Sequence, residues 1–269
     1  MNQLGQWQIV GNAAENYEQY LVPTIFGPWA ENLLDIVEPK FGEHVLDLAC
    51  GTGVLARLVA QRIGKSGRVV GLDVNQGMLV VARSVAPSDP IEWQEASALS
   101  LPFEPGSFDV VVCQQGLQFF PDRPLALAEV RRVLRRGGRV GISSWRGIAQ
   151  APGFEVLAGS VSDHLGKDAA APLRGPFGLA DESMLRGLLV DAGFRDVFIR
   201  SAVRTLEFPS ADAFAMRYLS ASPLASIVTQ LPQESREQLL ARVRTGLGPY
   251  VTEDGLQFPI ESHLTTATV

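Results

Sequence analysis

Residues 45–56 read VLDLACGTGVLA, and this stretch decides the fold. The run 45–48 is too short and too apolar for an exposed helix, so it predicts a buried parallel strand, whereas helical spacing begins at Val54. The stretch is therefore a strand, a tight glycine turn and a helix. That order aims backbone N–H groups and a helix N-terminus at whatever lies above the carboxyl edge of the sheet.

Composition favours a single α/β domain that handles a small or neutral substrate. The chain has 269 residues, 46% of them hydrophobic, which fits one core with an added cap better than two independent cores. Its 23 Lys and Arg against 29 Asp and Glu give a formal net charge of −6. That balance argues against a broad surface for nucleic acid or anionic membrane.

The two cysteines and the N-terminal stretch predict a cytoplasmic location. Cys50 and Cys113 are too few for a disulfide framework, and both lie in apolar surroundings that suit small buried side chains. Residues 1–20 lack a basic segment followed by a continuous apolar one, and no apolar run is long enough to span a bilayer. We therefore expect a reducing compartment and no membrane span.

Short apolar runs alternate with helical patterns in the first half, which is typical of βαβ units and a mainly parallel sheet. The predicted strands are 44–49, 68–73, 91–94, 108–114 and 139–145, with helices near 53–63, 75–84 and 124–135. Gly137 and Gly138 are predicted to end the last of these helices. The second half predicts an amphipathic segment at 154–165, a helix at 181–194, a strand at 196–208, helical cap segments over 209–250 and a strand at 255–269.

The glycine turn and the acid after the second strand point to a nucleoside ligand. Gly51 and Gly53 let the backbone pass close to a ligand, since neither carries a Cβ. Asp73 follows Gly53 by 20 residues at the end of the next strand, where a carboxylate can accept both hydroxyls of a ribose. Gly51, Gly53 and Ala56 also satisfy the dinucleotide fingerprint of a dehydrogenase, so this pattern alone leaves two enzyme classes open.

Further segments distinguish these classes. Asp47 lies inside the first strand, where a carboxylate can face the amino group of a sulfonium amino acid but would repel a pyrophosphate. Three more segments follow at the spacing of later strands and their closing helix: IEWQEASALSLPF, GSFDVVVCQQGLQFF and LALAEVRRVLRRGGRV. With VLDLACGTG and VVGLDVNQGML, they closely resemble the class I S-adenosylmethionine-dependent methyltransferases. The resemblance is to the small-molecule group (methyltransferase type 11) typified by ubiquinone and menaquinone biosynthesis enzymes, and it is strong over 40–145.

The resemblance implies a Rossmann-like α/β fold. Its seven-stranded, mainly parallel sheet would have helices on both faces, an antiparallel last strand and a helical cap insertion. It also implies one methyltransferase domain over 1–269, comprising a helical segment at 1–40, a cofactor core at 41–145, and the remaining sheet with the cap at about 209–250 within 146–269. The implied activity is in-line methyl transfer from S-adenosylmethionine to a small molecule, with S-adenosylhomocysteine as product. The apolar and aromatic content of the predicted cap (Phe214, Met216, Tyr218, Leu219 and Tyr250) suggests that this molecule is largely apolar.

The resemblance further implies ten cofactor-binding residues. Those around the methionine portion are Asp47, Ala49, Gly51 and Gly53, with Gln114 near the sulfonium and the carboxyl group. Those around the nucleoside are Asp73 on the ribose hydroxyls, Val74 and Met78 on the adenine face, and Ser97 and Ala98 at the adenine edge. Many members have Gly in place of Ala49 and Asp in place of Ser97, and the second departure removes an acceptor for the adenine amino group.

No catalytic residue is assigned, because methyl transfer to a good nucleophile needs alignment and exclusion of water more than it needs a base. His44 precedes the first strand at the wrong edge, His263 lies in the last strand, and His164 borders the region where an acceptor would bind. Tyr17 and Tyr20 resemble an N-terminal aromatic segment that closes over the cofactor, although we favour a role in a helix core. Three isolated histidines and two separated cysteines predict no metal site.

Three other functions are weighed against methyl transfer to a small molecule. An NAD-dependent oxidoreductase of the short-chain class would need a Tyr with a Lys four residues later, which none of Lys40, Lys65 and Lys167 provides. A nucleic-acid methyltransferase is disfavoured by the acidic balance and by the absence of an Asn/Asp-Pro-Pro-aromatic motif after the fourth strand. A catalytically inactive, methyltransferase-like binding protein stays open, as do the acceptor atom and the oligomeric state.

Overall fold

The computed structural model describes residues 12–269, and one mixed β-sheet forms its centre. The strands are β1 (His44–Leu48), β2 (Arg68–Asp73), β3 (Ile91–Glu95), β4 (Phe108–Gln114), β5 (Leu134–Trp145), β6 (Arg195–Phe208), β7 (Val251–Thr252) and β8 (Gly255–Thr268). Their order is β3-β2-β1-β4-β5-β8-β6, and the short β7 pairs with β8. Strands β1 to β5 run parallel, whereas β8 is antiparallel to β5 and β6. The predicted sheet of seven strands with an antiparallel last strand is confirmed, and β7 is a two-residue addition.

Helices cover both faces of this sheet. They are α1 (Ala13–Asn16), α2 (Gly27–Val37), α3 (Val54–Ile63), α4 (Gln76–Val85), α5 (Arg123–Val133), α6 (Pro152–Leu165), α7 (Lys167–Arg174), α8 (Glu182–Asp191), α9 (Ala211–Ser220), α10 (Ala225–Gln230) and α11 (Gln233–Leu247). A π-helix (Tyr17–Phe26) joins α1 to α2, and 3-10 turns occupy Leu117–Phe119, Ile148–Gln150, Gly175–Phe177 and Gly248–Tyr250. Along residues 12–269, no helix combines the length and the apolarity needed to cross a membrane.

Two apolar clusters make the fold a three-layer sandwich. On one face, Leu33 of α2 and Val59 of α3 pack against strand residues such as Val110. On the other face, Val130 of α5 and Leu185 of α8 pack against the sheet. Because both faces are covered, β1 shows a continuous buried run instead of an alternating one.

The chain order places a crevice at the carboxyl ends of β1 and β4. Strand β1 pairs with β2 on one side and with β4 on the other, so the connections after β1 and β4 leave in opposite directions. Such a reversal opens a ligand crevice in doubly wound α/β folds. The glycine turn predicted at 49–53 follows β1 at this edge.

The segment predicted as a helical cap holds α9, α10 and α11. These helices belong to a third apolar cluster with α6 and β8, which includes Phe154, Phe214, Val243 and Phe258. The ring of Phe154 meets those of Phe214 and Phe258 edge-on, with centroids 5.4 and 6.0 Å apart. The predicted amphipathic segment at 154–165 is thus part of the helix α6, and it packs against the insertion.

The predicted end of α5 is wrong. The helix stops at Val133, and Gly137 and Gly138 lie within β5. Leu134 already pairs with Phe108, and the register between β4 and β5 shifts after this pair. Gly137 has a φ of +76°, and a Cβ on Gly138 would come within 3.0 Å of the Asp109 carbonyl oxygen. The two glycines therefore shape a strand irregularity, a role that the sequence pattern does not distinguish from a helix stop.

Candidate cofactor and acceptor site

A cavity of about 260 Å³ opens at the carboxyl edge of β1, β2 and β4. Eight of the ten predicted cofactor-binding residues line it: Ala49, Gly51, Asp73, Val74, Met78, Ser97, Ala98 and Gln114. Asp47 and Gly53 do not line it. The wall also includes residues from the π-helix, from the 3-10 turn after β4 and from α9.

Backbone N–H groups, including those of Gly51, Val74 and Asn75, hold the Asp73 side chain at the end of β2. Its Oδ2 accepts from the Gly51 N–H and its Oδ1 from the Asn75 N–H, both at 2.8 Å. Burial raises the pKa of Asp73, and these backbone hydrogen bonds act in the opposite direction. A carboxylate has about four acceptor positions, so Asp73 keeps room to accept from a ligand hydroxyl beside these backbone donors. The fixed carboxylate suits a vicinal diol such as that of a ribose.

The glycine turn leaves open space in front of the backbone. Ala49 and Gly51 have φ values of +58° and +56°. A Cβ added to Gly51 would meet no other heavy atom within 4 Å, so at this position the backbone itself faces the cavity. The left-handed conformation of Ala49 costs about 1 kcal/mol in an L-residue, so this residue is strained at a position where the family resemblance leads one to expect Gly.

Gly53 lies at the start of α3 and does not line the cavity. Its φ is +84°, and a Cβ there would overlap the Trp93 ring at 2.2 Å. Glycine is required here by backbone conformation and by the close approach of an indole ring. Gly53 is absent from the lining of the cavity, and its expected role in holding the methionine portion through backbone and water contacts stays a prediction.

Asp47 lies beneath the turn, out of the cavity wall. The residue is 1% exposed, and its Oδ2 has no hydrogen-bond partner among the described residues. Burial raises the pKa of Asp47 to about 8, although a hydrogen bond from the Ala56 backbone opposes the shift. The side chain is therefore a neutral carboxylic acid at pH 7 in the absence of a ligand.

The N-terminal helical segment forms one wall of the cavity. Tyr17 lines it, whereas Tyr20 does not and instead lies under the Arg217 guanidinium at 5.4 Å. Both tyrosines pack against a buried apolar cluster, as a core role requires, and Tyr17 contacts the cavity in addition. Glu18 accepts from Arg57 of α3 at 2.7 Å, which ties this segment to the glycine turn. The part of the expected segment that falls in residues 1–11 lies outside the described residues.

The other half of the cavity is aromatic and uncharged; Tyr218 is among the cap residues from which an apolar acceptor is expected, whereas the other aromatic residues of this wall are not singled out by the sequence pattern. Its aromatic lining residues are Phe26, Phe119, Phe120, Trp145 and Tyr218. Tyr17 stacks on Phe26 with ring centroids 4.7 Å apart. Within the described lining, Asp73 is the one residue with a formal charge. Burial raises the pKa of Tyr17 and Tyr218, so both phenols are neutral at pH 7.

None of the three histidines lines the cavity. His44 begins β1 at the opposite edge and His164 lies in the last turn of α6. His263 is buried, and its Nε2 lies 2.8 Å from the Ala180 carbonyl oxygen, to which it donates. Across residues 12–269, no group of three His, Cys, Asp or Glu side chains is placed to hold a metal ion.

Comparisons with known proteins agree with this geometry. The sequence profile of a methyltransferase domain family matches residues 46–142. The chain is 44% identical over 115 residues to a 2-phytyl-1,4-naphtoquinone methyltransferase of Thermosynechococcus vestitus, covering 42% of this chain and 51% of that protein. The chain thus spans about half the length of the first curated relatives that it matches.

Two longer matches extend beyond the glycine turn and its neighbouring strands. A demethylmenaquinone methyltransferase of Staphylococcus epidermidis is 30% identical over 198 residues, covering 69% of this chain and 79% of that protein. The solved structure of phosphoethanolamine N-methyltransferase 2 of Haemonchus contortus with S-adenosyl-L-methionine superposes with a TM-score of 0.57 at 20% identity. It covers 90% of this chain and 52% of that chain, and at this identity it indicates the fold alone.

Proposed function

The chain belongs to the class I S-adenosylmethionine-dependent methyltransferases, and from this we propose that it transfers a methyl group from S-adenosylmethionine to a small, neutral, aromatic molecule. The observation that carries the proposal is the Asp73 carboxylate, fixed by the Gly51 and Asn75 N–H groups at 2.8 Å. It lies in the same cavity as an uncharged aromatic half. The nucleoside of the cofactor fits the first part and a flat acceptor fits the second.

The protein's own contribution is to bind, to orient and to exclude water. When bound, S-adenosylmethionine supplies an electrophilic methyl group on a good leaving group. Asp73 fixes the ribose, Gly51 allows close approach of the backbone, and Met78 packs on the adenine. The aromatic wall around Trp145 aligns the acceptor with the methyl group, and such alignment lowers the barrier of a displacement reaction.

The acceptor needs no carboxylate or imidazole from this wall. Apart from Asp73, the described lining has no Asp, Glu or His. An acceptor that is already nucleophilic, such as an electron-rich aromatic carbon or oxygen, suits this arrangement. The relatives are named as quinone methyltransferases, which supports a quinone-type ring as the acceptor class. We also propose a cytoplasmic location, which two buried free cysteines suggest. The division into a single domain with a helical cap is part of the same proposal.

Binding of S-adenosylhomocysteine to the wild type and to Asp73→Asn tests the cofactor half. Asn keeps the size of the side chain but loses the charge and half of the acceptor positions. Hydrogen bonds to a charged group contribute about 1.5–3 kcal/mol each, so we expect at least a roughly tenfold increase in the Kd. Isothermal titration calorimetry measures it, with the exposed Asp89→Asn as the matched control. Equal affinity of Asp73→Asn and the wild type would reject the site.

Methyl transfer itself is tested with labelled cofactor and a panel of hydroxylated aromatic molecules. Incorporation of label into one of them supports the proposed activity. Binding of S-adenosylhomocysteine without transfer to any member of the panel would favour the binding-only alternative instead.

A further inference from the structure

Two buried glutamines stand beside the aromatic half of the cavity. Gln115 follows β4 and Gln118 lies in the next 3-10 turn; each is 6% exposed, and both line the cavity. We propose that Gln118 Oε1 accepts a hydrogen bond from a hydroxyl or N–H group of the methyl acceptor. Gln118 is then a specificity-determining residue that selects neutral aromatic molecules bearing a hydrogen-bond donor. The inference rests on the proposed function and adds a residue that recognises the methyl acceptor.

A chain of three hydrogen bonds fixes which end of the Gln118 amide is free. The Ser262 hydroxyl donates to the Ser144 carbonyl oxygen at 2.9 Å, and a carbonyl oxygen only accepts. The hydroxyl oxygen is therefore left to accept from Gln115 Nε2 at 3.1 Å. Gln115 Oε1 in turn accepts from Gln118 Nε2 at 3.1 Å.

Gln118 Oε1 lies at the end of this series of hydrogen bonds and has no partner among the described residues. It is also shielded from solvent. A buried acceptor left unpaired costs about 1–3 kcal/mol, and a ligand that supplies a donor recovers this free energy. A ligand carbonyl or ether at the same place would instead set two acceptors against each other.

The backbone holds the amide pair in place. Gln115 has a φ of +52°, a strained conformation for a residue with a Cβ, and strain of this kind is concentrated at functional sites. Its N–H donates to the Ser143 carbonyl oxygen at 3.0 Å. Arg123 donates to the Gln118 carbonyl oxygen at 2.9 Å, which fixes the 3-10 turn.

Two other polar side chains in this half of the cavity make hydrogen bonds within the protein. Gln114 Nε2 donates to the Phe26 carbonyl oxygen at 2.8 Å. The Ser222 hydroxyl donates to the Leu219 carbonyl oxygen and accepts from the Leu224 N–H. Compared with these two side chains, Gln118 Oε1 is a buried acceptor with no hydrogen-bond partner among the described residues.

The test compares two probes that differ in one donor, 1-naphthol and 1-methoxynaphthalene. Calorimetry measures their affinities for the full chain saturated with S-adenosylhomocysteine. We expect the wild type to bind 1-naphthol about tenfold more tightly. Gln118→Met keeps the volume but removes the acceptor, so it should bring the ratio of affinities close to one by weakening 1-naphthol alone. The exposed Gln238→Met on α11 is the matched control and should keep the wild-type ratio.

A second variant tests the hydrogen-bond chain. Ser262→Ala removes the acceptor of Gln115 Nε2, which frees both amides to turn, so the preference for 1-naphthol should shrink while S-adenosylhomocysteine affinity is kept. Equal wild-type affinities for the two probes, absence of binding of both, or an unchanged ratio in Gln118→Met would overturn the inference. If the wild type fails to bind S-adenosylhomocysteine, the proposed function itself is wrong. Measuring S-adenosylhomocysteine affinity separately from the probe affinities therefore distinguishes this failure from a failure of the inference about Gln118.

Discussion

Asp47 makes the free energy of unfolding fall as the pH rises, and Asp47→Asn removes this dependence. The pKa of Asp47 is about 8 in the folded protein, chiefly because of burial, against about 3.9 in an unfolded chain. Between these values the folded protein keeps a proton that the unfolded chain has released. Each pH unit in this window therefore favours the unfolded state by about 1.4 kcal/mol.

The magnitude follows from this slope. Between pH 5 and pH 7, the wild type loses about 2.7 kcal/mol through Asp47 alone. The Asn side chain is neutral in both states, so the stability of Asp47→Asn relative to the wild type should rise by that amount, while the contributions of other titrating groups cancel. Urea unfolding at pH 5, 6 and 7, followed by circular dichroism, measures both proteins.

Asp254→Asn, in the exposed turn between β7 and β8, is the matched control for the chemical change. Its stability relative to the wild type should not follow the same slope. A difference between Asp47→Asn and the wild type that stays constant from pH 5 to pH 7 would refute the reasoning that a protonated carboxylic acid is buried beneath the glycine turn.

Two further substitutions test the glycine turn and the adenine edge. Gly53→Ala should lower the free energy of unfolding by about 2–4 kcal/mol, because Gly53 has a φ of +84° and a Cβ would overlap the Trp93 ring. Gly159 lies inside α6 with free space around it, so the control Gly159→Ala should raise the free energy of unfolding by roughly 0.5–1 kcal/mol. Urea unfolding measures both variants. Ser97→Asp keeps an acceptor for the Leu99 N–H and adds one for the adenine amino group. Its affinity for S-adenosylhomocysteine, measured by calorimetry, should rise about 3- to 10-fold, and a comparable gain for S-inosylhomocysteine, which lacks that amino group, would contradict the assignment.

The cofactor half of the site could be predicted from sequence because its geometry is local. Gly51 and Asp73 each follow a short buried strand, and neighbouring parallel strands bring their carboxyl ends to one edge. The hydrogen bond from the Gly51 N–H to Asp73 Oδ2 is a direct result of this pairing. Gly53 shows the limit of such reasoning, since a motif glycine can be required by a helix start and by a ring as well as by a ligand.

The acceptor half could not be predicted because distant segments build it. Trp145 ends β5, Tyr218 lies in α9 and Phe26 belongs to the π-helix. In sequence, each of these residues has the spacing of an ordinary core position, and only the topology brings them to one cavity. No periodic pattern in the sequence singles out Gln118, because its proposed role depends on the unpaired Oε1 atom, which only the structure shows.

The placement of Trp145 gives the protein a built-in optical reporter. Its indole lies in the cavity wall and meets that of Trp29 edge-on, with ring centroids 5.5 Å apart. Excitation absorbed by Trp29 can pass to its neighbour, and from there to a bound aromatic guest whose absorption overlaps indole emission. Occupancy of the chamber should therefore dim the intrinsic emission, so that turnover can be followed in real time without a dye.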